Sequence, residues 1–224
     1  MNLLELVFAI ALCGVFYAIS TPFSNQSLSM AKNALSFHLK SAQILALSDD
    51  REFLHLQDTS ATKVEFPSID TTSLLTQTQN ALWQVQFHIG KIYSTFSYSL
   101  FVDTPRFAKT TDFDSRPMAG DIIALDSLRR CISGYNNTNT SVECRNNTLF
   151  ETRLSERLGI ENLEIFAPVK CSERDTARVH FDRFARPMCA KIPTRFQSSF
   201  QIHLSKKSQT TALCILPQGK ITGC

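Results

Sequence analysis

Glycine and proline are scarce in this sequence, whose 224 residues include only 7 Gly and 8 Pro. Collagen-like, proline-rich and glycine-linker architectures are therefore excluded, and no repeat with a period of about 20 to 50 residues is present. With 43% hydrophobic and 19% charged residues, the composition is that of a globular protein. The chain is long enough to bury a sizeable core.

Common enzyme motifs are also missing. The sequence has no Gly-x-Ser-x-Gly, no His-Glu-x-x-His, no glycine-rich phosphate loop and no EF-hand spacing. Its histidines are scattered, and His88 and His180 occupy polar positions of alternating segments, so we expect both to face solvent. We therefore predict that the protein is not an enzyme and needs neither a cofactor nor a metal ion.

A strong excess of one charge is absent from the whole chain but present at its end. The 23 Lys and Arg nearly balance the 20 Asp and Glu, which excludes a protein that binds nucleic acid over its whole surface. From residue 171 to the end, however, nine basic residues stand against three acidic ones. An anionic partner such as DNA would bind to this C-terminal quarter of the chain. The candidate contacts are Arg183, Arg186, Arg195, Lys206 and Lys207. The alternative is a solvated rim that serves solubility.

Cysteines are absent between Cys13 and residue 131, and six follow. None of the six forms a Cys-x-x-Cys or zinc-finger spacing, so disulfides are favoured over a metal site or buried free thiols. Disulfides imply an oxidising compartment such as the periplasm or cell surface. Sequence alone does not select the connectivity, although pairing neighbours along the chain would close three short loops. The candidates are Cys131, Cys144, Cys171, Cys189, Cys214 and Cys224.

Positive charge is missing from the N-terminus, because no Lys or Arg precedes Lys32. Residues 1–21 carry a single charge, Glu5, in an apolar run of the length that a helix needs to cross a bilayer. A signal peptide is the alternative, since residues 18–20 loosely match a cleavage site, but export signals begin with basic residues. A carboxylate at membrane depth is costly, and Glu5 therefore needs a partner.

After Pro22 the pattern is amphipathic and predicts a continuing helix to about Asp49. Its apolar residues recur at three- and four-residue steps from Leu28 to Ala46 and form one stripe along the helix. Beyond it, apolar and polar residues alternate as in half-buried strands, and a hairpin turn is predicted at Gly90 and Lys91. Residues 134–147 are predicted to form a surface loop. The predicted strands are residues 53–56, 63–66, 83–87, 92–96, 122–125, 163–166, 177–181, 200–204 and 213–216.

The N-terminal residues 2–7, NLLELV, with the apolar run that follows and Pro22, resemble the mature N-terminus of type IV pilins and pseudopilins. The resemblance implies that a prepilin peptidase cleaves before Met1 and methylates its amino group. It also implies that Glu5 neutralises the amino terminus of a neighbouring subunit during filament assembly. No basic leader ending in Gly precedes Met1, so the chain is written in mature form, begins at a misassigned start, or is never processed.

Three further stretches resemble H-type minor pseudopilins and related minor pilins such as FimT-like proteins. They are residues 35–50, residues 83–87 (WQVQF) with the following Tyr93 and Ser94, and residues 179–187 (VHFDRFARP). Residues 215–219 (ILPQG) resemble the C-terminal strand and turn of the same family. In the third stretch Ala185 stands where the family has Gly, which puts a left-handed turn there in question.

The resemblance implies an α+β fold, in which a long N-terminal helix packs on an antiparallel β-sheet or sandwich head. We divide the chain into a transmembrane and assembly helix (1–22), its amphipathic continuation (23–50) and a disulfide-bonded periplasmic head (51–224). The implied function is a structural subunit of a filament for type II-like secretion, a type IV pilus or DNA uptake. Its implied partners are other pilins, prepilin peptidase and the inner membrane. The alternatives are a membrane-anchored protein that binds DNA through its basic C-terminal quarter and, less favoured, a periplasmic enzyme.

Overall fold

One long helix lies against two antiparallel sheets. The computed structural model describes residue 10 and residues 22–51, 81–90, 96–104, 116–135, 140–171 and 173–224. The predicted membrane segment, residues 1–22, falls almost entirely outside these ranges, as do the strands predicted at 53–56 and 63–66. Within the described ranges, no helix combines the length and the apolar character needed to span a bilayer.

Helix α1 extends over Pro22–Leu47 and packs against both sheets through its predicted apolar stripe. The side chains of that stripe are buried because they recur on one face of the helix and meet both sheets. The helix ends close to the predicted position, and the backbone N–H and the hydroxyl of Ser48 both donate to the carbonyl oxygen of Ile44, at 3.0 and 2.9 Å. The buried stripe consists of Leu28, Ala31, Leu35, Leu39, Ala42 and Ala46.

The first sheet has six strands in the order β3-β2-β1-β5-β6-β7, all antiparallel. Its register places Val85 of the central strand between Leu100 and Val179, and all three side chains belong to the core. The strands are β1 (Trp83–His88), β2 (Ser97–Val102), β3 (Ile122–Ile123), β5 (Thr176–Phe181), β6 (Pro187–Cys189) and β7 (Thr194–Arg195).

The second sheet has four antiparallel strands in the order β10-β9-β8-β4. Ile202 of β8 pairs with Ile165 of β4 and Leu213 of β9. Phe200, on the same strand, contacts Phe87 of the first sheet with ring centroids 6.3 Å apart, so the two sheets and α1 share one core. These strands are β4 (Asn162–Phe166), β8 (Phe200–Lys206), β9 (Gln209–Ile215) and β10 (Ile221–Gly223).

The predicted α+β fold with antiparallel sheets is confirmed, and most predicted strands coincide with observed ones. Two details differ. Of the strand predicted at residues 92–96, residues 92–95 lie outside the described ranges and Phe96 has a φ of 39°. The strand that pairs with β1 is β2, which begins at Ser97. The predicted loop 134–147 contains a short helix, α2 (Val142–Asn146), whose first turn is capped by the Ser141 hydroxyl. A further short helix, α3, covers Leu154–Leu158.

The prediction that His88 and His180 face solvent is wrong, because each is only 5% exposed. They lie on the face of β1 and β5 away from the core, and that face is covered as well. Burial lowers the pKa of His88 to about 3 and that of His180 to about 4, and the nearby Arg178 adds to both shifts. Arg178 is itself buried and donates to both carboxylate oxygens of Glu173 at 2.7 Å.

Three disulfides join cysteines that are neighbours along the chain. Cys131 pairs with Cys144, Cys171 with Cys189, and Cys214 with Cys224. The second bridge links the loop after β4 to β6, and the third ties the C-terminus to β9. Three bridges in a chain of this size fit a periplasmic or extracellular protein.

Candidate functional site at the turn between strands β5 and β6

The turn of residues 182–186 is held by one aspartate. Asp182 Oδ1 accepts hydrogen bonds from the backbone N–H groups of Phe184 and Arg186 at 3.0 and 2.9 Å. Its Oδ2 accepts from Nε and Nη2 of Arg186, each at 2.7 Å. Ala185 has a φ of 55°, so the left-handed turn that the family resemblance put in question does form, with alanine in place of glycine.

The turn of residues 126–130 repeats the same arrangement. Asp126 Oδ1 accepts from the N–H groups of Leu128 and Arg130 at 3.0 and 2.7 Å, and Oδ2 accepts from Arg130 Nε at 2.8 Å. Arg129, at the position equivalent to Ala185, has a φ of 60°. Both turns thus follow the pattern Asp-x-apolar-x-Arg, and each displays its apolar residue: Leu128 is 69% exposed and Phe184 59%.

A cavity of about 330 Å³ adjoins the 182–186 turn, at the C-terminal end of α1. Ala46, Trp83 and Phe181 supply apolar lining, and Arg183 supplies positive charge. Arg186 also lines the cavity, but its charge is paired with that of Asp182. The guanidinium carbons of these two arginines lie 5.1 and 4.7 Å from the ring centroid of Phe184. Arginine beside an exposed ring suits planar or anionic groups, since the ring stacks and the guanidinium pairs with charge.

Asp49 is one of two carboxylates that line the cavity, and the other is Asp182. Burial opposes the ionisation of Asp49, but hydrogen bonds and charge from Arg51, together with a hydrogen bond from Trp83, outweigh burial and lower its pKa. Arg51 Nε donates to both carboxylate oxygens at 2.8 and 2.9 Å, and its Nη2 also donates to the carbonyl of Ala81 at 2.9 Å. Asp49 is therefore an anion bound to Arg51, and it does not act as a proton donor at neutral pH.

The predicted basic residues do not form one surface. Gln43, near the end of α1, contacts the 182–186 turn through the carbonyl of Ala185, whereas Lys206 donates to the hydroxyl of Ser27 near the start of α1. Ser27 and Gln43 are separated by about 24 Å along the helix axis. Arg183 and Arg186 thus lie near one end of α1 and Lys206 and Lys207 near the other. Arg195 is exposed on the edge strand β7, opposite Met188.

The remaining predicted site residues divide in two. The six cysteines are the disulfide partners described above, and Met1 and Glu5 lie outside the described residues. Sequence reasoning missed Phe184 as an exposed ring and Asp182 as the residue that holds the turn. The repeated Asp-x-apolar-x-Arg spacing was the signal that could have revealed both turns.

Among the residues that the structure describes, no three His, Cys, Asp or Glu side chains come close enough together to bind a metal ion. Comparisons with protein-family models, with curated proteins and with solved structures found no match to this chain.

Proposed function

We propose that this protein is a minor pilin or pseudopilin, a structural subunit of a secretion, pilus or DNA-uptake filament. The observation that supports this most directly is a second apolar stripe on α1. Met30, Phe37, Ile44 and Leu47 are exposed by 41, 67, 64 and 59%. A helix that already buries one face on its own head does not need these side chains for folding.

The geometry of the two stripes suits packing between helices. Each of Met30, Phe37 and Ile44 follows a buried residue of the first stripe by two positions, which turns it by about 200° to the opposite side of the helix. The three are spaced by seven residues, the repeat with which one helix packs along another. One face of α1 therefore holds the head and the other is available to neighbouring subunits.

The N-terminal segment supplies the rest of the proposal. Residues 1–22 would anchor the chain in the inner membrane with a single pass and continue into α1. Glu5 would pair with the amino terminus of a neighbouring subunit, because a lone carboxylate in an apolar segment requires an opposite charge. Prepilin peptidase would process the chain at Met1. The head would then lie in the periplasm or at the cell surface, a location that the three disulfides fit.

The test compares complexes formed by the full chain in its native membranes after chemical cross-linking. The double variant Phe37→Ser, Ile44→Ser should lose cross-links to other pilins while its disulfides still form. Lys40→Ser, an exposed change on the same helix, is the matched control and should keep them. Unchanged cross-links in the double variant would refute the role of the outward stripe. Codons for a short basic leader ending in Gly, upstream of Met1, would independently support processing.

The exposed Phe184 with its two arginines favours a second candidate, a membrane-anchored minor pilin that binds DNA. Arginine and aromatic side chains together hold single strands, because bases stack on the ring while phosphates meet the charge. The contact would involve Arg183 and Arg186 of the 182–186 turn, and Arg195 on β7 of the same sheet.

Titration of labelled single-stranded DNA should give salt-sensitive binding that the double variant Arg183→Ala, Phe184→Ala weakens. Lys207→Ala, near the other end of α1, is the control, and equal binding by both variants would exclude this site.

A further inference from the structure

The two most exposed large apolar side chains of the described residues lie on two loops, residues 167–171 and 190–193, that one disulfide joins. Val169 is 93% exposed and Ile192 81%, and they stand two and three residues from the bridged cysteines. The Cα atoms of those cysteines are 5.2 Å apart, so the five intervening steps of chain keep the Cα atoms of Val169 and Ile192 within about 23 Å of each other. The two side chains therefore belong to one region of the surface.

Both bridged loops are fixed by contacts inside the head. The disulfide that joins them is buried. Residues 169–171 form a 3₁₀ turn, in which the backbone N–H of Cys171 donates to the carbonyl oxygen of Pro168 at 2.7 Å. In the other loop, Nε2 of the buried His180 donates to the carbonyl oxygen of Ala190 at 2.9 Å. Because the loops are already ordered, a partner would bind them at a low cost in conformational entropy.

Positive charge accompanies the two apolar side chains. Each has an exposed lysine as its neighbour in the sequence, Lys170 and Lys191. Glu173, in the connection to β5, forms an ion pair with the buried Arg178 at 2.7 Å, and these two charges cancel. On the bridged loops, the connection to β5 and the strands β4, β6 and β7, four exposed basic residues thus stand against two exposed acidic ones. They are Lys170, Arg174, Lys191 and Arg195 against Glu164 and Asp175.

Aliphatic side chains at the centre of this surface favour a protein partner over a nucleic acid. Nucleic-acid bases stack on aromatic rings, and neither Val169 nor Ile192 supplies one. Aliphatic side chains gain free energy when they are buried against other apolar groups. Exposed apolar side chains that are grouped together and bordered by charge are typical of surfaces that bind another protein.

The bridged loops also lie away from the membrane that the proposed anchor would occupy. Lys206, at one end of β8, bonds to Ser27 near the start of α1. Phe166, the last residue of β4, pairs with Gln201 near the other end of β8. Five residues of antiparallel strand separate Gln201 from Lys206, a distance of about 17 Å. The first of the bridged loops begins at this far end, which disfavours a lipid surface as its partner.

We infer that the bridged loops bind an acidic segment of a partner protein that also carries apolar side chains. Val169 and Ile192 would be buried against its apolar groups, while Lys170 and Lys191 would pair with its carboxylates at the rim. A segment of about seven extended residues would span the largest separation of the two loops. This surface is separate from the outward stripe of α1, so the inference goes beyond the proposed filament subunit and does not depend on it.

The experiment mixes the full chain, in micelles of an uncharged detergent, with fluorescein-labelled peptides of about nine residues. One peptide contains Leu and Glu, a second Leu and Lys, and a third Ser and Glu. Fluorescence anisotropy should show the Leu–Glu peptide binding about tenfold more tightly than the other two, because it alone supplies both apolar and acidic groups. Salt should weaken this binding, and empty micelles provide the blank.

Two double variants separate the apolar from the charged contribution. Val169→Ser with Ile192→Ser should weaken binding of the Leu–Glu peptide by about tenfold or more, since two buried aliphatic contacts are lost. Lys170→Gln with Lys191→Gln should weaken it by about fivefold and reduce its dependence on salt. A Cys171–Cys189 bridge that still forms reports correct folding of both variants.

Matched controls lie on other turns of the head. Leu128→Ser removes an apolar side chain that is also highly exposed, and Lys220→Gln removes an exposed lysine next to Gly219. Both controls should bind the Leu–Glu peptide as the parent does. Equal weakening by Leu128→Ser and by the Val169 and Ile192 variant would refute the site.

The remaining outcomes overturn the inference in distinct ways. A Leu–Glu peptide that does not bind at about 1 mM refutes the surface outright. Self-association of the parent, measured by light scattering and lost in the Val169 and Ile192 variant, would assign the loops to a second copy of this chain. Binding of labelled DNA that needs the two lysines but not the apolar pair would assign them to nucleic acid. Loss of the cross-links proposed for α1 would refute the filament subunit and leave this inference standing.

Discussion

The side-chain amide of Gln43 donates to the carbonyl oxygen of Gly219 at 2.7 Å, and this bond joins α1 to the β9–β10 turn. The same nitrogen lies 3.5 Å from the carbonyl of Ala185, in the β5–β6 turn. Gly219 has a φ of 90°, and a Cβ there would approach that carbonyl to 3.0 Å. One helical side chain thus holds the turns of both sheets at the end of the head that carries the cavity.

Replacing Gln43 with alanine should therefore destabilise the head. The change removes a partly buried hydrogen bond and leaves the Gly219 carbonyl without this donor, which typically costs about 1 to 2 kcal/mol. The free energy of unfolding in urea measures the effect. Ser41→Ala on the same helix is the control, because its exposed hydroxyl donates to the Phe37 carbonyl within α1. Equal stability of the two variants would show that Gln43 does not tie the sheets together.

Ala185→Gly should stabilise the protein, since Ala185 holds a φ of 55°. The left-handed conformation costs a non-glycine residue about 1 to 2 kcal/mol, and the greater entropy of glycine in the unfolded chain offsets part of this gain. We expect a net gain of about 0.5 to 1 kcal/mol in the free energy of unfolding. Arg129→Gly in the 126–130 turn should change stability in the same direction. A loss of stability in both variants would contradict the strain argument.

Stability should fall as the pH is lowered from about 6.5 to 4. Burial lowers the pKa of His38 from 6.5 to about 4, opposed by the charges of Glu151 and Asp126. The unfolded chain then binds a proton in this range that the folded chain does not, so acid favours unfolding, by about 3 kcal/mol for His38 alone. His88 and His180 act in the same direction. Above pH 6.5 all three contributions are fully present.

Urea unfolding at several pH values measures this dependence, and His38→Gln isolates one contribution. His38 Nδ1 lies 2.7 Å from the Tyr98 hydroxyl, and glutamine can offer that hydroxyl a partner without titrating. The slope of stability against pH between 4 and 6.5 should therefore be shallower in the variant. An unchanged slope would mean that His38 titrates alike in the folded and unfolded states.

The disulfides should differ in their contribution to stability. Cys171 and Cys189 are 1 and 0% exposed, whereas Cys224 is exposed at the chain terminus. Replacing Cys171 and Cys189 with alanine leaves cavities in the core. It also releases a loop longer than the one closed by Cys214 and Cys224. The free energy of unfolding should therefore fall by more than the roughly 2 to 4 kcal/mol that is typical of losing a bridge. Replacing Cys214 and Cys224 should cost less. Melting temperatures of the two double variants provide the comparison, and the reverse order would contradict it.

Glu5→Ala should leave the head folded and abolish incorporation into filaments. The change makes membrane insertion easier but removes the carboxylate that we propose pairs with a neighbouring amino terminus. Recovery of the chain in sheared or cross-linked filaments measures incorporation, and intact disulfides report folding. Ser20→Ala in the same segment is the control. Assembly of Glu5→Ala at the level of the parent would remove Glu5 from the proposed mechanism.

Elements that depend on local periodicity were predictable. The stripe from Leu28 to Ala46 predicted α1, and alternation predicted β1, β5 and β8, because a single buried face imposes a period of 3.6 or 2 on its own residues. The two-residue strand β7 has no such period and was not predicted. It forms because β6, already in place, offers hydrogen bonds, which is a property of the sheet.

The candidate site shows the same division. The sequence by itself determined that basic residues accumulate after residue 171, that six cysteines are available for pairing, and that an acid stands alone in an apolar N-terminus. Only the tertiary structure decided that Arg186 pairs with Asp182 and that His88 and His180 are buried. It also placed Lys206 beside Ser27, away from Arg183. The reason is physical: charge and hydropathy belong to each residue, whereas proximity and burial depend on elements that are distant along the chain.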